Sequence, residues 1–227
     1  MTTLDTSWQT TNVVYSNGNL TATQTPNEGT ERVIRASTGH TSGKFYFEAT
    51  YSTLGGSDQG KIGLIKATLA NTINLGYDVG SWSYVSLVGS NIKQVWQDAY
   101  YGSSSAYKRD VASLFTAGQV VGLAVDFTSG KIWWSRLGTW VLSGNPENGT
   151  NPAFTFTPSG TVYAAANLVY SSAITFNFGA TAFTYPMPGG YYSYDGTQYT
   201  APPEPIISSY RNTRTVQGRV PVAYRRL

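Results

Sequence analysis

The chain has 227 residues, with no Cys, 6 Trp, 17 Tyr and 24 Gly, and only 12% of it is charged, against roughly 25% in ordinary domains. That composition excludes disulfides, thiolate nucleophiles and cysteine-bound zinc together, and it suits short strands and turns rather than helices. The formal net charge of +3 is unevenly placed: 10 Lys and Arg stand against 12 Asp and Glu before residue 206, whereas 206–227 carries five Arg and no acid. The basic character thus belongs to the C-terminal tail and does not mark the whole chain as a nucleic-acid binder.

In chain order, residues 1–8 show no basic run followed by an apolar one, so no secretory signal is expected. No run of about 20 apolar residues offers a membrane-spanning helix. Val13, Val14 and Tyr15, the Asn17-Gly18 pair and Leu20 predict a hairpin within 8–22. A polar loop follows at 23–30 and strand character resumes at 32–36. Residues 43–51, GKFYFEATY, set Phe45, Phe47, Ala49 and Tyr51 on one face and Lys44, Tyr46, Glu48 and Thr50 on the other, the pattern of a half-buried strand. Gly55, Gly56 and Gly60 mark a turn, and 61–66 alternates again. The aromatic stretch 75–110 predicts strands at 82–88 and 91–96 around Gly89-Ser90, then an exposed loop at 97–109.

The strongest signal is residues 119–140. Val121, Leu123, Val125 and Phe127 alternate with Gly122, Ala124 and Asp126, so one face packs and the other lies under something close. Thr128, Ser129 and Gly130 read as a three-residue connection whose Gly supplies a positive φ. On the return strand Trp133 and Trp134 point to opposite faces, which requires apolar cover or a ligand on both. A Pro/Gly loop at 143–152 and strands at 161–170 and 173–178 complete a body of residues 1–185. Residues 186–205, with five Pro and three Gly, read as a linker, and 206–227 reads as a tail that forms no core of its own. Neither an internal repeat nor an amphipathic helix is visible.

The runs GKFYFEATY, GKIGLIK, VVGLAVDFTSGKIWWSRLGTW, TVYAAANL and AITFNFG together resemble the SPRY domain. SNGNLTAT and SGNPENGTNPAFT resemble the version found in bacteriophage structural and tail-associated proteins. The likeness spans about residues 8–185, and it departs where the family usually has Asn-Gly and this chain has Leu137-Gly138. The resemblance implies an all-β fold, two antiparallel sheets in a sandwich related to the concanavalin-type jelly roll. It also implies a non-enzymatic module that binds partners through loops along one edge.

Catalysis finds little support in the residues. His40, the only His, has no GxSxG-type elbow to work with, and Asp126, beside a hairpin turn, is better explained as an acceptor for loop amides. No Asp, Glu or His cluster has metal-ligand spacing, so neither a cofactor nor a metal is expected. The candidate binding residues are Trp82, Tyr84, Trp96, Tyr100, Tyr101 and Tyr107, since aromatic groups near the binding edge stack on sugars or anchor protein partners; core packing is the competing role. The tail residues Arg211, Arg214, Arg219, Arg225 and Arg226 admit a solvated end, attachment to an assembly partner, or phosphate contact. The reading that follows is a virion structural or adhesion component, binding other virion proteins or a host receptor or glycan, with homo-oligomerisation left open. A lectin-like carbohydrate-binding protein is the alternative, and a polysaccharide-degrading tail enzyme, with Asp126 and Glu48 as carboxylates, a third.

Overall fold

The alternating run of 119–140 folds as an antiparallel pair, β9 (Val120–Asp126) and β10 (Lys131–Arg136), around which the first of two sheets is built. The structure, a computed structural model, describes residues 1–9, 11–56, 59–98 and 106–200. β4 (Lys44–Thr53) pairs along the other side of β9. β14 (Ala173–Asn177), β2 (Thr21–Gln24) and β1 (Val13–Ser16) continue outward from β4, and β11 (Thr139–Trp140) and β12 (Phe154–Thr155) flank β10. The second sheet runs β3 (Arg32–His40), β13 (Val162–Leu168), β5 (Gln59–Lys66), β6 (Ser81–Leu87), β7 (Ile92–Gln97), β8 (Lys108–Asp110). With β15 (Tyr191–Ser193) and β16 (Tyr199–Thr200), the first sheet has ten strands and the second six among the described residues.

Period-two alternation sends one set of side chains from each sheet into a shared core. Phe47, Ala49 and Tyr51 of β4, Leu123 and Val125 of β9 and Trp134 of β10 meet Ile62 and Leu64 of β5, Tyr84 of β6 and Ala164 and Ala166 of β13. Large aromatic groups carry polar tips that must be paired when buried. The Trp134 indole donates to Ile62 O at 3.0 Å and the Tyr51 hydroxyl to Asn167 O and Lys61 O, so these two side chains tie one sheet to the other.

Two local readings change. β4 is covered on both faces, because Tyr46 and Glu48 are as buried as Phe47. The hairpin register pairs Asp126 with Lys131, which makes the connection four residues long: Phe127 turns into the core and donates its amide to Gly43 O at 2.8 Å. Gly130 has φ 65, and a Cβ there would lie 1.8 Å from Phe156 O, so both conformation and space demand glycine. His40 ends β3, just before β4 begins at Lys44.

The largest correction concerns residues 186–200, read as linker from their Pro and Gly content. From Phe178 the chain crosses the outer face of the first sheet and returns to lay β15 parallel to the start of β4, pairing Tyr192 with Phe45 and Ser193 with Tyr46. Met187 and Tyr191, with Phe183 beside them, close over Tyr46, Ala124 and Trp133. This strap is the apolar cover that the outward-facing Trp133 requires. The small residues of β9 make room beneath it: a Cβ on Gly122 would stand 2.5 Å from Tyr46 Oη. Residues 201–205, the rest of the expected linker, and the tail at 206–227 lie outside the described residues.

Candidate functional site

At one edge of the sandwich β8, the last strand of the second sheet, stands near β11 and β12 of the first, and a groove of about 410 Å³ opens there. One wall is the chain leaving β8, Asp110 to Ser113, with Tyr84 at its base; the other is Arg136 and the segment from Thr139 to Ser143. A second opening of about 540 Å³ adjoins Gln97, Ala106 and the segment Pro152 to Thr155. It is bridged by Arg109, whose guanidinium donates to Pro152 O at 3.1 Å and Ala153 O at 2.8 Å.

The backbone of the Arg136–Ser143 wall is strained. Arg136 pairs with Thr139, so Leu137 (φ 50) and Gly138 (φ 74) form a two-residue turn with both φ values positive, a type I′ geometry in which Asn or Gly is the usual first residue. Five residues on, a 3-10 turn holds Leu142 at φ 57 and Ser143 at φ 56. A left-handed conformation costs a side-chain-bearing residue roughly 1–2 kcal/mol, and such strain gathers at binding sites. The site's polar groups are also uncommitted. Among the described residues Arg136 spends only its Nε, on Gln119 Oε1 at 2.9 Å, and Asp110 accepts from Gln94 Nε2 at 2.7 Å; neither belongs to any of the three ion pairs among those residues. The indoles of Trp82, Trp96, Trp133 and Trp134 all donate hydrogen bonds, whereas that of half-buried Trp140 has no acceptor among the described residues. Burial raises the Tyr84 hydroxyl to about 12, with the nearby Arg136 charge pulling the other way, so the phenol stays protonated and donates to Ser113 O.

Of the aromatic residues singled out by sequence, Tyr84 lies beneath the groove as a fully buried core side chain. Trp82 is a core residue packed against Phe156 at 4.9 Å between ring centroids. Trp96 lies on the outer face of the second sheet beside Val85, under the Lys108 ammonium at 5.1 Å. Tyr107 is half-buried just before β8, and Tyr100, Tyr101 and the tail arginines lie outside the described residues. Arg136, Asp110 and Trp140 were not singled out; the one pointer to them was Leu137-Gly138 where a turn favours Asn-Gly. Asp126 accepts from the Thr128 and Ser129 amides, both at 2.9 Å, and from Ser129 Oγ at 2.7 Å, which accounts for it as a turn residue. His40 places Nε2 2.9 Å from Tyr194 O and stacks on Phe45 at 3.7 Å, and burial lowers its pKa.

Residues 44–181 match the SPRY domain family. The chain belongs to that family. A crystal structure of the SPRY domain of human HERC1 is similar to it, with a TM-score of 0.59 and 15% identity over 79% of this chain and 99% of that one; at that identity the likeness is one of fold. SPRY domains are generally protein-interaction modules rather than enzymes. The match to the SPRY family ends at residue 181, so nearly all of the strap lies beyond it. No helix among the described residues is long and apolar enough to cross a membrane.

Proposed function

We propose that this SPRY domain binds a protein partner by taking an extended segment of it into the groove between Asp110–Ser113 and Arg136–Ser143. The observation that carries the reading is the coincidence, in one groove, of left-handed Leu142 and Ser143 with the unspent donors of Arg136 and Trp140. Unpaired donors on a preformed wall gain more from a ligand than flexible ones, because little side-chain entropy remains to be lost. The partner is another virion protein or a host-surface protein, a reading that rests on the likeness of SNGNLTAT and SGNPENGTNPAFT to the phage version of the family. The tail arginines Arg211, Arg214, Arg219, Arg225 and Arg226 are then the attachment to the particle.

Peptides selected by display on the full chain test the groove. Arg136→Glu is expected to weaken them by tenfold or more, about 1.4 kcal/mol, as for loss of a charged hydrogen-bonding partner, while Val14→Ser on the exposed β1 leaves them unchanged. Binding indifferent to Arg136→Glu would end the groove reading. A glycan array run on the same protein decides the carbohydrate alternative, which fails if no glycan is retained.

A further inference from the structure

Trp140 lines a second cavity as well as the groove. On its other side, between the β10–β11 turn, the loop after Ser143 and the strap, is a slot of about 280 Å³ walled by Trp140, Pro146, Glu147, Pro186, Met187 and Pro188. Its glycines let the walls approach: a Cβ on Gly138 would stand 2.5 Å from Tyr185, and one on Gly144 2.8 Å from Trp133. Three proline rings and a thioether make the sides apolar and stiff. Glu147 is the single charged residue of the lining.

We propose that this slot seats a basic side chain, an arginine or lysine of the protein segment held in the groove, between the Trp140 indole and the Glu147 carboxylate. The reading rests on the groove for the class of partner and adds its chemistry. Glu147 is exposed and makes no ion pair with a described cation. One of its oxygens accepts from the Gly189 amide at 2.9 Å; that bond fixes the carboxylate at the slot and leaves acceptor capacity for a ligand. Aromatic faces attract cations, and the apolar walls suit the aliphatic stem of Arg or Lys, whose charged head then meets the acid. Because Trp140 lines both cavities, one extended segment can lie in the groove and place a neighbouring side chain in the slot.

Acetyl-Gly-Arg-Gly-amide and its citrulline counterpart, equal in shape and neutral, are titrated into the full 15N-labelled chain. The arginine peptide is expected to move the Trp140 indole N–H and Gly189 amide signals with saturation in the millimolar range, and the citrulline peptide to bind at least about fivefold more weakly. Glu147→Gln keeps an acceptor for Gly189, so the strap stays seated, and is expected to erase the preference for arginine; Trp140→Leu weakens both peptides. Equal binding of the two peptides, an unchanged preference in Glu147→Gln, or no movement at Trp140 overturns the proposal. Arg136→Glu separates the two readings: display peptides insensitive to it, with the slot titration intact, remove the groove reading alone.

Discussion

Leu137 shows how much a single backbone position can reveal. A type I′ turn needs two left-handed residues in a row, and here the first is a leucine with φ 50 that is 40% exposed. Because so much of its side chain is already in water, replacing it loses little burial, while Asn tolerates the conformation. Leu137→Asn is therefore expected to stabilise the domain by about 0.5–1.5 kcal/mol, read as a higher urea midpoint with an unchanged slope. A lower midpoint would mean that Leu137 packs on something and that the strain account is incomplete. At the same scale Asp126 was legible because its hydrogen-bond partners lie two and three residues away, whereas the two roles that the sequence left open for Trp82, core or binding, depended on Phe156, far along the chain.

The strap is the element that local sequence could not reveal. Pro186, Pro188, Gly189 and Gly190 exclude helix and discourage regular pairing, and that local statement holds, yet the segment is folded because it has a surface to fold on. Its attachment is polar as well as apolar: the buried Glu48 carboxylate accepts from the Thr184 and Tyr185 amides, both at 2.8 Å, and from the Tyr46 hydroxyl at 3.1 Å. Burial and then the Glu48 charge raise the pKa of Tyr46, so the phenol keeps its proton and the bond persists across the neutral range. Glu48→Ala leaves two amides and the Tyr46 O–H without their acceptor, at a cost of about 3 kcal/mol. Hydrogen exchange at Thr184 and Tyr185 should rise with the loss of stability. Retained protection at both amides would show that Trp133, Tyr46 and Tyr191 hold the strap without the acid.

For the whole molecule, charge is divided between body and tail. The 205 residues before the tail carry 10 basic and 12 acidic side chains, so a chain ending at 205 should focus below neutrality, against the pI near 9.0 of the full sequence. If the five arginines attach the protein to a particle, deleting 206–227 leaves groove and slot binding intact and lowers incorporation into particles, measured by quantitative immunoblot of purified virions. Normal incorporation of the shortened chain would remove the attachment role. β1 to β7, β9, β10, β13 and β14 were legible in the sequence because each is written locally, in alternating side chains and in Asn-Gly or Gly-rich turns, whereas β8, inside the expected loop, and β15 and β16, inside the expected linker, were not; two adjacent tryptophans announced that both faces of β10 are covered. Only the tertiary structure decided what covers the outer face. It also decided that Arg136, Asp110 and Trp140 share a groove, because they come together through the packing of two sheet edges, to which no local pattern of residues corresponds.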